Sequence, residues 1–148
     1  MADERRFIGK RGWARHYALQ ALYQWQMTGQ DIGVIDAQFL ADQDMSKADI
    51  PYFKELLYQV PDRVGSIDAV LNPFLDRSPE QIDPVERAVL WIAGYELSYR
   101  LDIPYRVIIN EAVELAKKFG AQQSHRFVNN VLDKAAHQLR AQETATHS

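Results

Sequence analysis

The side chains able to do chemistry in this sequence are basic and aromatic. Arg5, Arg6, Lys10, Arg11 and Arg15 stand against two acids in residues 1–16, a net charge of +3. Several of them open an apolar-periodic run, so cations gather at a helix N-terminus, where the macrodipole does not favour them. That conflict points to an anionic ligand, and phosphates are the anions that arginine and lysine clusters meet in nucleic acids. Single-stranded nucleic acid also needs a ring on which a base can stack. Phe127 supplies a candidate: at 3.6 residues per turn it lies about 100° from the centre of its helix's apolar stripe, beside Arg126, Asn130 and Lys134. It is therefore expected to be exposed, and its truncation to cost little stability.

Catalytic patterns are missing. The sequence has no Gly-rich phosphate loop, G-x-S-x-G, H-E-x-x-H or calcium-loop motif. His147 sits in the tail, and His16, His125 and His137 fall on three separate stretches without ligand spacing, so no metal site is expected. The absence of Cys removes disulfides, cysteine-based zinc sites and a cysteine nucleophile. Glu96 falls in an apolar stripe with Val89, Ile92 and Tyr99, where desolvation would raise its pKa. One buried carboxylate makes no active site, and Glu96 reads as a structural group bonded to a neighbouring helix end or side chain. A binding protein without enzyme activity, cofactor or small-molecule substrate is the expectation.

The elements that position these residues are helices throughout, because the few Gly and Pro separate runs of helical periodicity and no strand alternation is found. A first helix is expected from Lys10 to Thr28 with Gly29 as its stop, and a second from about Gly33 to Gln43. Ser46 to Asp49 reads as a capping box opening a third, with Pro51 in its first turn and Pro61 bending or breaking it before Leu71. Residues 72–83, with Pro73, Pro79 and a box at Ser78 to Gln81, read as a connector between an N-terminal half (about 10–72) and a C-terminal half (about 84–140). Asp83 as N-cap and Pro84 at the first position begin a central helix reaching Arg100, with Arg87, Gly94 and Ser98 as its polar strip. Pro104 opens the next helix and Gly120 closes it. Ser124 is expected to cap a last helix to about Arg140, whose core stripe is Val128, Val131, Leu132, Ala135 and Leu139. The tail 141–148 is expected to fray. On the first helix Ala14, Ala18, Ala21, Leu22 and Trp25 face inward, while Leu19, Tyr23 and Met27 form a second apolar stripe on which Tyr23 points nearly opposite the core. Two apolar faces imply a sandwiched helix or a partner.

A chain of 148 residues with 47% hydrophobic and 25% charged residues suits one all-α globular domain. Its longest apolar stretch, Ala88 to Tyr95, falls short of the ~20 residues that span a bilayer. The polar, charged start lacks the apolar core of a secretory signal, so the expected location is the cytoplasm, with no membrane partner. Residues 31–86 hold twelve acids against four bases, a net of -8, and residues 87–140 return to +3 with eight bases against five acids. Such segregation suggests two partner surfaces of opposite sign.

Four stretches carry a family resemblance: RGWARHYALQALYQW (Arg11 to Trp25), VERAVLWIAGYEL (Val85 to Leu97), DIPYRVIINEAVELAKKFG (Asp102 to Gly120) and SHRFVNNVLDK (Ser124 to Lys134). Spanning about Lys10 to Arg140, they resemble the NusB family of bacterial transcription antitermination factors. The resemblance implies two three-helix bundles sharing an interface. It implies pairing with NusE, a small-subunit ribosomal protein, to bind the boxA element of ribosomal RNA transcripts. It also implies work alongside NusA and NusG in an RNA polymerase complex that reads through terminators. On the matching positions, the family's RNA surface falls on Lys10, Arg11 and Arg15 and on Gln123, Arg126 and Phe127. Its NusE surface falls on Tyr23 and Glu86, with Phe74 added from the connector. Gly12 and Trp13 interrupt the denser arginine run of many relatives, and Arg5 and Arg6 could supply charge instead. Gln122 and Gln123 replace common acids, which favours phosphate binding, and Asn130 replaces a common Gly. Two other roles stay open: an RNA-binding module of the kind fused to ribosomal RNA cytosine methyltransferases, disfavoured by the lack of Cys and of a cofactor Gly motif, and a protein–protein adaptor without RNA contact.

Overall fold

A computed structural model describes residues 9–146. Its helices are α1 (Lys10–Thr28), α2 (Ile32–Asp42), α3 (Ile50–Asp62), α4 (Val64–Leu71), α5 (Pro84–Tyr99), α6 (Tyr105–Phe119), α7 (Ser124–Leu139) and α8 (Ala141–Thr146). Single 3₁₀ turns at Asn72–Phe74 and Pro79–Gln81 carry the connector. No strand occurs among the described residues, and the fold is all-α. Arg5, Arg6 and His147 lie outside the described residues.

Local signals explain most boundaries. Gly29 ends α1 with φ +68°, a left-handed conformation that glycine adopts without steric cost. The third helix starts later than the Ser46 box suggests: Asp49 is its cap, with the Tyr52 N–H donating to Asp49 Oδ1 at 3.0 Å. Proline explains the shift, since Pro51 has no N–H to give a preceding carbonyl and is tolerated only in a first turn. Pro61 is accommodated in the last turn of α3, which breaks at Arg63 before α4 resumes.

The chain forms two compact units, 1–58 and 59–148, dividing within α3 and earlier than the connector at 72–83. In the first unit Ala14, Ala18, Ala21 and Leu22 of α1 are wholly buried, as are Ile35 of α2 and Phe53, Leu56 and Leu57 of α3. Phe39 and Phe53 lie 6.0 Å apart between ring centroids. Among the described residues of this unit one carboxylate is buried: Asp36 Oδ2 accepts from Lys54 Nζ at 3.0 Å and from the Tyr58 hydroxyl at 2.8 Å. The Tyr58 bond to Asp36 raises the phenol above its ordinary pKa of 10.0. Its contribution to stability is therefore present below pH 10 and lost as pH rises through the raised value.

In the second unit α5 is central. Glu86 and every residue from Ala88 to Leu97 are buried, Glu96 included at 1% exposure. Gly94 does not face water as part of a polar strip. A Cβ there would come within 2.8 Å of Ile67 Cγ2 and 3.0 Å of Leu71 Cδ1, so its missing side chain lets α4 approach. Trp91 Nε1 donates to Asp68 Oδ1 of α4 at 2.8 Å. These contacts place α4 in the second unit.

The tail is folded at least to Thr146, against expectation. Arg140, 6% exposed, donates to the carbonyls of Leu97 (2.9 Å), Ile103 (3.1 Å), Glu96 and Arg100 (both 3.2 Å) and to Glu143 Oε1 (2.6 Å). The other oxygen of Glu143 accepts the Tyr105 N–H at 2.9 Å, capping α6, whose N-cap Pro104 offers no side-chain acceptor. Thr144 is buried beside them. Replacing Arg140 with Met should thus leave several buried carbonyls and a carboxylate unmatched. We expect a loss of about 3 kcal/mol in urea unfolding; a loss under about 0.5 kcal/mol, the scale of an ordinary surface substitution, would contradict this arrangement.

Candidate nucleic-acid and partner interfaces

In the first unit, α1 begins at Lys10 behind Gly9 with no acid in its first turn and no side-chain cap. Lys10 and Arg11 are exposed, and the Arg11 guanidinium lies 4.9 Å from the centre of the Tyr52 ring. Arg15 departs from expectation. It is only 4% exposed, with its guanidinium 5.6 Å from the same ring. The reason is geometric, since Arg15 stands three residues before Ala18 and seven before Leu22, on the buried stripe of α1. It is not available as an open phosphate contact. Sequence reasoning overlooked Lys47, an exposed cation 5.6 Å from the Trp13 ring. Tyr23 is 39% exposed and Met27 57%, so the second apolar stripe of α1 reaches solvent at these two positions, whereas Leu19 is buried.

In the second unit, Gln123 and Arg126 are exposed at the start of α7. Gln123 has φ +78°, a conformation strained for a residue with a Cβ. Phe127 is 5% exposed, contrary to the reading from the helical wheel. The Arg77 guanidinium, 50 positions earlier in the connector, sits 3.9 Å from its ring centre. The helix's own geometry left Phe127 on its flank, and a distant segment covers it. Its ring is not presented for stacking.

Glu86 is also buried, at 6% exposure, and does not offer a free charge to a partner. Its N–H donates to the capping Asp83 Oδ1 at 2.8 Å, and its Oε2 accepts from the Ser124 hydroxyl at 2.7 Å. Ser124 therefore does not cap α7; its side chain turns to α5 and leaves α7 with Gln123 as an N-cap that makes no side-chain bond. Phe74 is half-buried. Among the described residues no group of three His, Asp or Glu could hold a metal ion.

Exposed cations in the first turns of α1 and α7, and an exposed tyrosine on α1, belong to an all-helical protein. The NusB family model matches residues 13–137, and the chain belongs to the NusB family. The transcription antitermination protein NusB of Nitrosococcus oceani is 54% identical over 134 residues, covering 90% of each chain. That of Yersinia pestis is 55% identical, over 86% of this chain and 92% of its own. Among solved structures, T. maritima NusB superposes with a TM-score of 0.74 at 28% identity, covering 89% of this chain and 94% of its own. A chain from a complex of the antitermination factors NusB and NusE with double-stranded RNA superposes with a TM-score of 0.79 at 25% identity. The match covers 87% of this chain and 97% of that one.

Burial reverses one expectation into a test. Phe127→Ala should now cost about 3–5 kcal/mol of stability, the range for a large aromatic removed from a core. Denaturant unfolding checks this, and an unchanged midpoint would show the ring to be dispensable for packing.

Proposed function

We propose that this antitermination-family protein binds the boxA element of ribosomal RNA transcripts jointly with NusE. In this reading it acts in the cytoplasm, without catalysis, in the RNA polymerase complex that includes NusA and NusG. The RNA contacts come from Lys10 and Arg11 on α1 and from Gln123 and Arg126 on α7. Arg15 on α1 and Phe127 on α7 are buried packing groups in their own units. Tyr23 and Phe74 serve NusE. A solved relative in complex with NusE and RNA agrees with this choice of partners.

The observation that carries the reading is where the capping carboxylates are. Asp31 accepts the Gly33 N–H at 2.9 Å on α2, Asp49 caps α3, Asp83 caps α5 and Glu143 caps α6. Among the described residues, α1 and α7 have no such carboxylate and carry exposed cations in their first turns; α4 also starts without a side-chain cap, but its N-cap Arg63 is half-buried with its guanidinium over the Tyr99 ring. The positive dipole end of a helix suits a phosphate oxygen, and a neighbouring Arg or Lys adds a charged donor.

Titration of labelled boxA RNA with the protein, with NusE and with their mixture tests this. The mixture should bind far more tightly than either protein. Arg126→Ala in the mixture should weaken binding and lower the slope of log affinity against log salt by about 0.7, one single-strand phosphate contact. A mixture that binds no better than its parts would contradict the joint surface, and NusE binding with no RNA affinity would identify a protein–protein adaptor.

A further inference from the structure

Three half-buried aromatic side chains, Trp13, His16 and Tyr17, stand together on α1. At 3.6 residues per turn they share a face centred about 130° from the wholly buried stripe of Ala14, Ala18, Ala21 and Leu22, so burial in the core does not account for them. The rings lie against one another. The Trp13 and His16 centroids are 5.0 Å apart, edge to face, and those of His16 and Tyr17 are 4.9 Å apart in the same manner. Trp13 and Tyr17 stack at 6.1 Å with their planes 29° apart.

Cations flank this cluster. Lys10 and Arg11, both exposed, lie within one turn before Trp13, and Lys47 Nζ sits 5.6 Å from the centre of the Trp13 ring. The segment that carries Lys47 is tied to α1 at both ends: the Tyr17 hydroxyl donates to the Asp44 carbonyl at 3.0 Å, and the Asp49 N–H donates to the Lys10 carbonyl at 3.0 Å. Between these ties Met45 and Ala48 are buried, while Lys47 is exposed. The acids at the two ends turn to the backbone, Asp44 Oδ1 accepting the Ser46 N–H at 3.1 Å and Asp49 Oδ1 the Tyr52 N–H at 3.0 Å. The anchored segment thus holds one cation over one ring, beside two further cations.

We propose that Trp13, backed by His16 and Tyr17, is a stacking site for one unpaired base of single-stranded RNA, with Lys47, Lys10 and Arg11 meeting the phosphates on either side. The base takes the place over the ring that the Lys47 ammonium now holds, and the long Lys47 side chain moves to a phosphate. Every base has a π face, so the site selects an unpaired strand and not a sequence. It supplies the ring that the buried Phe127 does not present. The proposal rests on the reading of the start of α1 as an RNA contact.

The test uses the protein saturated with NusE, labelled boxA RNA, and a series of the same RNA with one abasic nucleotide at each position in turn. Thermal unfolding of each variant sets a temperature at which all are folded. Trp13→Ala should lower affinity about 5–10-fold, the lower part of the range for one base on one ring, and leave the slope of log affinity against log salt unchanged. Lys47→Ala should lower that slope by about 0.7, one single-strand phosphate contact. At least one abasic RNA should bind the parent protein as weakly as intact RNA binds Trp13→Ala, and Trp13→Ala should bind that RNA no more weakly still. Saturating RNA should quench tryptophan emission in the parent, and this quench should be lost in Trp13→Phe. Should Trp13→Ala fail to fold, the quench in the parent against Trp13→Phe still decides. A Trp13→Ala loss that is the same on intact and on every abasic RNA, a quench that persists in Trp13→Phe, or a Lys47→Ala slope equal to the parent's would overturn the proposal. RNA affinity unchanged in Trp13→Ala but reduced in Arg11→Ala would overturn it while leaving the RNA reading of α1 intact. If neither variant changes RNA affinity, the start of α1 does not contact RNA and both readings fail.

Discussion

Side chains take up backbone groups at both ends of α5, and the second unit is arranged around these pairings. At the start, Asp83 takes the Glu86 N–H while the Glu86 side chain holds Ser124, the first residue of α7. At the finish, Arg140, just past the end of α7, donates to the carbonyls of Glu96, Leu97 and Arg100. A buried carbonyl without a donor would cost as much as a lost hydrogen bond, so these pairings are obligatory. They also set geometry. Both helices are 16 residues long, about 24 Å at the standard rise, and tying start to start and finish to finish makes them parallel and fixes their register. Glu143 extends the scheme to α6, and the chain past α7 folds because Arg140 and Tyr105 both need its carboxylate.

Much of this was legible in the sequence where the signal is local. The limits of α1, the left-handed Gly29, the Asp83-Pro84 start and the all-helical class follow from periodicity and cap chemistry within a few residues. Most departures involve partners far along the chain. Phe127 looked exposed because its own helix leaves it on the flank, and Arg77 covers it from a connector with no helical pattern to read. Ser124 looked like a cap because serines usually are, but a buried carboxylate 38 positions earlier claims its hydroxyl. The tail looked frayed because its short polar run cannot make a helix alone; its order depends on an arginine whose carbonyl partners belong to α5 and the turn after it. Arg15 is the one departure that spacing could have corrected, since it shares a stripe with Ala18 and Leu22.

The same bookkeeping of helix ends marks where the protein is left open. Carboxylates close the starts of α2, α3, α5 and α6, whereas α1 and α7 begin beside cations with no side-chain cap among the described residues. The family resemblance points to the same two starts, and α4, which also lacks a side-chain cap, begins at the half-buried Arg63. Burial divides the work at each: Lys10, Arg11, Gln123 and Arg126 face outward, while Arg15 and Phe127 lie beneath as packing groups.

Amide shifts on RNA binding test the central claim most directly. In a titration of the labelled protein, bound to NusE, with boxA RNA, the largest perturbations should fall on the backbone N–H groups of the first turns of α1, around Arg11 and Gly12, and of α7, around His125 and Arg126. Perturbations concentrated instead at the carboxylate-capped starts of α2, α3, α5 or α6, with α1 and α7 silent, would contradict the account.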